Sequence, residues 1–203
     1  MSGKEKLIVV FGCGGHSHNI ADIILYNEPD SRILFVDDNA QEGETKLGFS
    51  VVKTIPEEEY KCIIAIGSNM KRKQKFEQID KARLTSVLSQ RAHIGRYAKI
   101  GKGSYVGHLA IVGAEAVIGE NTFISYASVV GHETQIGCHS FVGPNATIMG
   151  KVKVDDLVFI GGGVTIINGV AICSNSIIGA GATVVGNILE PGTYVGSPAR
   201  RIK

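Results

Sequence analysis

The sequence contains little of what a conventional globular core is built from. None of its 203 residues is tryptophan and only 6% are aromatic, whereas 26 are glycine. A chain that is rich in glycine and aliphatic residues but poor in aromatic ones is typical of stacked repeats. The composition therefore favours a tightly wound, repetitive architecture over an irregular packed core.

An excess of charge of one sign and a long hydrophobic run are also absent. The 21 basic and 19 acidic residues leave a net charge of +2, which provides no strong field for nucleic acid or an anionic membrane surface. Residues 1–6 are polar, and the five apolar residues that follow are too few for a signal peptide or a membrane span. We therefore expect a cytoplasmic protein without membrane insertion or nucleic-acid binding.

Closely spaced cysteines are absent as well. The four cysteines lie far apart and form no C-x-x-C pair. Such a spacing favours reduced cytosolic thiols that fill space over disulfides or zinc ligands. No metal site is expected from them. They are Cys13, Cys62, Cys138 and Cys173.

The first part of the chain, residues 1–85, alternates between strand and helix patterns. Short apolar runs at residues 7–11, 33–36 and 62–66 predict buried parallel strands. We expect a small, Rossmann-like α/β domain whose three strand ends meet at one carboxyl edge, where open α/β sheets bind ligands. The first helix should bury an apolar stripe, and a basic helix over residues 70–79 should follow the third strand. The stripe consists of Ile20, Ile23, Ile24 and Tyr26.

From Ile94 onward the hydrophobic period changes to six. Every sixth residue is Ile or Val, sixteen times in succession, as far as Val184. The next residue is glycine in ten of the sixteen hexapeptides, and the fourth residue after the aliphatic one is small or β-branched, as in Ala98 and Ser104. The strands of a β-sandwich would instead alternate with period two.

This pattern predicts that residues 86–203 form a parallel β-helix. Each hexapeptide supplies one short strand and one turn, and three hexapeptides close one triangular coil. The aliphatic side chains point inward and stack on their copies in neighbouring coils, about five coils in all. The glycine is expected to provide a positive φ or a close backbone approach at the corner.

Five motifs make the whole chain resemble a known family. They are FGCGGH at residues 11–16, VDD at 36–38, IAIGSN at 64–69, VGHE at 130–133 and VGSPA at 195–199. Each is weak alone, but their order and spacing resemble the hexapeptide-repeat acyltransferases. The similar branch joins a small nucleotide-sugar-binding domain to the repeats and acetylates amino sugars or sialic acids, as in bacillosamine and perosamine synthesis. The resemblance implies a left-handed β-helix, a homotrimer, and acetyl-CoA as the cosubstrate.

Acetyl transfer to an amine requires a base, a donor for the thioester oxyanion, and two substrates held together. His132 is the predicted base, because the family marks this group with a His-Glu or His-Asp pair. Glu133 is expected to orient the imidazole, which requires a corner, since adjacent strand residues point to opposite faces. Gly150 occupies the same position as His132 in the next coil and is the predicted oxyanion donor.

The remaining predicted site residues bind the two substrates. The glycine-rich loop before the first helix can hold a diphosphate, and a carboxylate after the second strand can bind a ribose or base. The segment has too few strands for an NAD domain, and the resemblance favours a uridine or similar nucleotide. The nucleotide-sugar residues are Gly12, Gly14, Gly15, His16, Asp37, Asp38, Gly67, Ser68 and Asn69. The resemblance assigns CoA to Gly150, Gly162, Ile167, Ala180, Pro198 and Arg200.

The acceptor implied by the resemblance is the 4-amino group of a nucleotide-linked amino-dideoxy sugar, with a UDP-linked, bacillosamine-type sugar as the first expectation. One departure affects that choice. The bacillosamine-type enzymes carry a second histidine nine residues after the first, where this chain has Phe141; His139 either replaces it from another face or is simply exposed. His93 and His108 are expected at the surface or a subunit interface.

Three alternatives remain at this point. The same His-Glu pair can serve an O-acetyltransferase that acts on a sugar or sialic acid. A metal-dependent β-helix enzyme resembling the γ-class carbonic anhydrases requires an H-x4-H pair, which this sequence does not contain. A non-catalytic β-helix that binds sugar nucleotides is the third, and turnover of acetyl-CoA distinguishes it from the enzymes.

Overall fold

A computed structural model describes residues 7–203. The expectation drawn from residues 1–6 falls outside the described residues. Within residues 7–203, no helix has both the length and the hydrophobicity that a membrane crossing requires.

The α/β part contains a five-stranded sheet. Its strands are β1 (Leu7–Phe11), β2 (Arg32–Val36), β3 (Thr45–Lys46), β4 (Phe49–Val52) and β5 (Tyr60–Ile64), in the order β3-β4-β2-β1-β5. The pairs β1–β2, β1–β5 and β2–β4 are parallel, whereas β3 runs antiparallel to β4. The sequence predicts only β1, β2 and β5. It does not predict β3 and β4, because these strands are short, partly exposed and lack a continuous apolar run.

Two helices cover this sheet, α1 (Gly15–Asn27) and α2 (Asn69–Gln78). Helix α1 buries Ile20, Ile23 and Ile24 as predicted, but Tyr26 does not belong to the buried stripe. The Tyr26 side chain is exposed, because its position lies off the i, i+3, i+4 face. Helix α2 begins after Ser68, whose hydroxyl accepts from the backbone N–H of Lys71 at 3.4 Å.

The rest of the chain is the predicted left-handed parallel β-helix, built from nineteen short strands. In chain order they are β6 (Val87–Leu88), β7 (His93–Ile94), β8 (Lys99–Ile100), β9 (Tyr105–Val106), β10 (Ile111–Val112), β11 (Val117–Ile118), β12 (Phe123–Ile124), β13 (Val129–Val130), β14 (Gln135–Ile136), β15 (Phe141–Val142), β16 (Thr147–Ile148), β17 (Lys153–Val154), β18 (Phe159–Ile160), β19 (Thr165–Ile166), β20 (Ala171–Ile172), β21 (Ile177–Ile178), β22 (Thr183–Val184), β23 (Thr193–Val195) and β24 (Arg200–Arg201).

These strands form three walls. The first wall has the order β24-β23-β21-β18-β15-β12-β9-β6, the second β22-β19-β16-β13-β10-β7, and the third β20-β17-β14-β11-β8. Apart from the antiparallel pair β23–β24 at the end of the first wall, neighbouring strands of a wall come from successive coils and pair in parallel, as in Val130 with Ile148. Every repeat aliphatic from Val106 to Val184 is buried and lies in one continuous core. Ile94 is 36% exposed, because it lies in the first coil, where stacking ends.

The corners show why the repeat contains glycine. The residue with positive φ is the third after the aliphatic one, at all fifteen corners from Tyr97 to Gly181, and eleven of the fifteen are not glycine. The glycine directly after the aliphatic residue serves a close approach instead. A Cβ atom on Gly131, for example, would lie 2.5 Å from the backbone nitrogen of Gly150 in the next coil. Of the two roles expected for this glycine, the close backbone approach is therefore the one it fills.

Candidate functional site

His132 and Glu133 lie in the corner between β13 and β14, where the second wall turns into the third. Glu133 has the left-handed backbone conformation of its corner, with a φ of 59°. This conformation brings the side chains of two successive residues together, and His132 Nδ1 lies 3.0 Å from Glu133 Oε1. Because a carboxylate only accepts hydrogen bonds, Nδ1 carries the proton and Nε2 of the neutral imidazole is left free. The imidazole is 58% exposed, so Nε2 is open to a substrate.

Gly150 lies directly beside that free nitrogen. A Cβ atom at Gly150 would lie 2.5 Å from His132 Nε2, so only glycine leaves room for the imidazole in this position. The Gly150 N–H donates no hydrogen bond within residues 7–203. The equivalent N–H groups of Gly162 and Ala180 also donate no hydrogen bond among the described residues, whereas that of Cys138 donates to Asp156 Oδ1 at 2.7 Å. The His132 corner therefore places an unused donor next to an imidazole, an arrangement suited to acyl transfer.

The predicted nucleotide-sugar residues come from the ends of β1, β2 and β5. These three strands are neighbours and parallel, so their carboxyl ends share one edge. Gly12 has a φ of +96°, and a Cβ atom there would lie 3.1 Å from Ile66 Cγ1. Gly14 and Gly15 have open space beside them, and Gly15 already belongs to α1. His16, the last residue of the FGCGGH motif, also lies in the first turn of α1, and His18 follows in the same helix.

Asp37 holds the glycine-rich loop from the neighbouring strand. Its Oδ2 accepts a hydrogen bond from the Cys13 N–H at 2.9 Å, and its Oδ1 accepts one from the Asn39 N–H at 3.0 Å. The Asn39 backbone bond is the main reason why the pKa of Asp37 is lowered, so this carboxylate is charged at neutral pH. Asp38 is exposed. The ammonium of Lys46 contacts Cys13 O and lies 3.1 Å from Gly14 O, which adds a cation that the sequence did not suggest.

The Gly67–Asn69 loop lies between the sheet edge and the first wall. Asn69 donates to Val158 O at 3.1 Å, and a groove separates the loop from the outer face of the β-helix. The groove is lined by Gly67, Ser68, Asn69, Met70, Leu157, Phe159, Asn175 and Ile177. It combines apolar side chains with amides and a hydroxyl, which is a composition typical of small-molecule sites.

Arg72 joins the α/β part to the β-helix. Its guanidinium is fully buried and donates to Ile66 O at 3.1 Å and Asn69 Oδ1 at 2.8 Å on one side. On the other side it donates to Asn121 O at 3.1 Å, and the guanidinium carbon lies 4.3 Å from the centre of the Phe123 ring. Burial lowers the pKa of Arg72 to about 9, which leaves the group charged at neutral pH.

His16 packs into the same interface. Its ring stacks on Phe123 with centroids 4.6 Å apart and meets Tyr105 and Phe141 edge-on. His16 Nε2 is buried and has no hydrogen-bond partner among the described residues. Burial, followed by the charge of Arg72, lowers the pKa of His16 to about 4, so the imidazole is neutral at physiological pH. Its predicted polar contact with a sugar nucleotide remains a prediction, and Nε2 is turned away from solvent.

Of the other histidines of the β-helix, His139 and His108 contact neighbouring side chains, and so does Phe141. His139 packs edge-on against Phe76 and lies 2.9 Å from Asn121 Nδ2, so it is neither free nor fully exposed. Phe141 stacks in parallel on Phe159 on the first wall, with ring centroids 5.0 Å apart. His108 is held between Ser89 Oγ, at 2.6 Å, and Asp22 Oδ2, at 3.3 Å. His93 is exposed, as expected.

The six residues predicted to bind CoA do not form one cluster within a chain. Gly150 and Ile167 lie where the second wall meets the third, whereas Gly162 and Ala180 lie where the first meets the second. Pro198 and Arg200 belong to the last coil, in which Ala199 N donates to Thr183 O at 2.8 Å. Arg201 pairs with Glu190 at 2.9 Å, whereas Arg200 has no carboxylate partner within residues 7–203.

Comparison with known proteins agrees with this architecture. Residues 7–79 match the model of the PglD N-terminal domain, and residues 133–168 match that of the bacterial transferase hexapeptide (six repeats). No curated protein matches by sequence. Within residues 7–203, no group of three or more His, Cys, Asp or Glu side chains could hold a metal ion.

Solved structures similar to this chain include three acetyltransferases or their relatives. The acetyltransferase domain of PglB from Neisseria gonorrhoeae, in complex with acetyl coenzyme A, is 26% identical with a TM-score of 0.91, covering 98% of this chain and 100% of that one. A mutant of perosamine N-acetyltransferase from Caulobacter crescentus, in complex with CoA and GDP-perosamine, is 25% identical with a TM-score of 0.90, covering 97% and 96%. WeeI from Acinetobacter baumannii is 25% identical with a TM-score of 0.90, covering 97% and 100%.

The β-helix and these relatives identify the chain as an acetyltransferase of the hexapeptide-repeat class. Its α/β part matches the PglD N-terminal domain and its β-helix matches the hexapeptide repeats, the combination to which the five sequence motifs pointed.

Proposed function

We propose that this protein transfers the acetyl group of acetyl-CoA to the 4-amino group of a nucleotide-linked amino-dideoxy sugar, with UDP-linked bacillosamine-type sugars as the first candidates. One observation carries the proposal: the free His132 Nε2 lies beside Gly150, whose N–H donates no hydrogen bond within the described residues. The similar structures with acetyl coenzyme A, or with CoA and GDP-perosamine, support the choice of substrates.

In the proposed reaction, the amine nitrogen attacks the thioester carbonyl carbon while His132 Nε2 accepts a proton from that nitrogen. The carbonyl oxygen becomes an oxyanion that accepts a hydrogen bond from the Gly150 N–H. The tetrahedral intermediate collapses, the C–S bond breaks, and the imidazolium returns its proton to the CoA sulfur. Glu133 keeps the proton on Nδ1 and stabilises the imidazolium, as the carboxylate does in a catalytic triad.

In this proposal, residues 1–85 bind the nucleotide sugar, and residues 86–203 bind acetyl-CoA and catalyse the acetyl transfer. The Gly12–Gly15 loop, Asp37 and Asp38 hold the nucleotide, with Lys46 close by as a positive charge for the diphosphate. The sugar then extends from the sheet edge. CoA lies along the β-helix, with its thioester at His132 and its phosphates near Arg200, which has no carboxylate partner within residues 7–203. The four free cysteines support a reducing, cytoplasmic setting.

A homotrimer is part of the proposal, because within one chain the proposed nucleotide-sugar site and His132 lie on different sides of the β-helix. The α/β part packs on the first wall, while His132 lies at the opposite corner of the prism, between the second and third walls. The two groups of CoA residues also lie at different corners. A neighbouring prism would bring such corners together, and exposed apolar side chains on the outer walls favour this packing, including Ile111 at 41% and Val117 at 40% exposure. Light scattering that shows a stable monomer at micromolar concentration would contradict the trimer.

The proposal is tested by acetyl-CoA turnover with a panel of acceptors. The panel contains UDP-, GDP- and dTDP-linked 4-amino-4,6-dideoxy sugars, with sialic acid as a hydroxyl acceptor. We expect turnover with at least one amino sugar and an N-acetylated product by mass spectrometry. Transfer to sialic acid alone would replace this proposal with O-acetylation.

A further inference from the structure

Three residues of the His132 corner are joined in a closed ring of contacts. His132 Nδ1 lies 3.0 Å from Glu133 Oε1, and Glu133 Oε2 lies 3.7 Å from the ammonium of Lys151. Lys151 in turn donates its backbone N–H to His132 O at 2.9 Å. The two oxygens of the Glu133 carboxylate are thus divided between the imidazole and the ammonium.

The fold itself produces this ring. Glu133 and Lys151 occupy the same corner position of successive coils and have left-handed φ values of 59° and 57°. Their side chains therefore leave the prism in the same direction, separated by one strand spacing of about 4.8 Å. Lys151 also follows Gly150 directly, so the predicted oxyanion donor and the lysine belong to one turn.

We infer that Lys151 is a positioning residue for His132, acting through Glu133; the inference rests on the proposed function, in which His132 is the base. Held by Lys151 at one oxygen, the carboxylate presents the other to Nδ1 and keeps the imidazole turned toward Gly150. Without the lysine, the exposed Glu133 side chain has rotamers in which it leaves the imidazole, and a smaller fraction of molecules holds Nε2 in place.

The test compares Lys151→Met, Lys151→Arg and Lys153→Met in the full chain, with acetyl-CoA and the amino sugar that the acceptor panel identifies. Methionine keeps the length of the side chain and the left-handed strain but removes the charge. Lys153→Met is the matched control, because it removes an exposed lysine close by in the chain that has no contact with Glu133. We expect Lys151→Met to lower kcat roughly two- to fivefold and to leave the KM for acetyl-CoA unchanged.

Lys151→Arg should restore kcat, and Lys153→Met should leave both kcat and the KM for acetyl-CoA unchanged. A Lys151→Met variant with the wild-type kcat would overturn the inference. A raised KM for acetyl-CoA would also overturn it, because Lys151 would then bind CoA. His132→Asn is assayed in parallel. If His132→Asn is inactive and Lys151→Met is as active as the wild type, only the positioning role of Lys151 is contradicted. If His132→Asn is fully active, the assignment of His132 as the base is contradicted.

Discussion

The guanidinium of Arg72 donates to the carbonyl oxygen of Ser140 at 3.0 Å, across the interface between α2 and the β-helix. The same side chain is fully buried and also satisfies acceptors of the Ile66–Asn69 segment. A buried cation is tolerated only where its donors are satisfied, and here backbone carbonyls from both parts of the chain satisfy them. Arg72 therefore holds the Gly67–Asn69 loop against the first wall.

Replacing Arg72 with methionine should destabilise this interface strongly. The variant leaves several buried carbonyls without a donor, and we expect the free energy of unfolding to fall by roughly 3 kcal/mol. Thermal unfolding followed by circular dichroism measures the effect. Arg32→Met is the matched control, since Arg32 forms an exposed pair with Glu58 at 3.3 Å and should contribute less than about 1 kcal/mol. Equal melting temperatures for the two variants would contradict this assignment.

The repeat predicts the β-helix because a single period of six constrains every coil, so the positions of His132 and Gly150 follow from counting in whole coils. The interface is harder to predict. Arg72 lies among the lysines of a basic helix, and nothing in its local sequence distinguishes it. Lys46 lies on a two-residue edge strand. Lys151 lies beside Glu133 only because the two residues occupy the same corner in successive coils, 18 residues apart in the sequence. The missed residues are those whose partners are distant in sequence.

Acid should weaken the interface through His16. Its pKa is lowered from 6.5 to about 4 in the folded protein, so between these values the unfolded chain binds more protons than the folded one. The stabilisation is complete above pH 6.5 and is lost as the pH falls toward 4, up to about 3 kcal/mol. Equilibrium denaturation at a series of pH values measures the slope. His16→Phe keeps the ring but cannot titrate, and it should flatten the profile; an unchanged slope would show that His16 does not titrate in this way.

Loss of the His132 imidazole should abolish most turnover without affecting the fold. The side chain is 58% exposed and contributes no core contact, so His132→Asn should unfold like the parent. Removal of a general base typically costs about 10²–10⁴-fold in rate. His93→Asn changes another exposed histidine of the β-helix and should keep full activity. Near-parental turnover by His132→Asn would exclude the assignment, whereas a residual rate that rises steeply with pH would indicate that the amine deprotonates in solution.

A methyl group at position 150 should displace the imidazole. Gly150→Ala brings a Cβ atom within 2.5 Å of His132 Nε2, and the ring must swing away from its position beside the N–H. We expect kcat to fall by about 10²–10³-fold, the usual cost of losing an oxyanion donor or its geometry. Gly186→Ala is the control, because its Cβ atom would meet open space. A Gly150→Ala enzyme as active as Gly186→Ala would show that the corner is not the reaction centre.

Replacing Asp37 with alanine should weaken acceptor binding and leave CoA binding alone. Asp37 accepts from the Cys13 N–H at 2.9 Å, so its removal frees the glycine-rich loop as well as deleting a charge. We expect the KM for the sugar nucleotide to rise roughly tenfold, with little change in the KM for acetyl-CoA, which is the signature of lost acceptor binding. Asp38→Ala removes an exposed carboxylate that the proposal also places at the nucleotide but that does not hold the loop, so it should raise the same KM by a smaller factor. If Asp37→Ala instead raises the KM for acetyl-CoA and spares the acceptor, the α/β domain is the CoA site and the proposed division of labour is wrong.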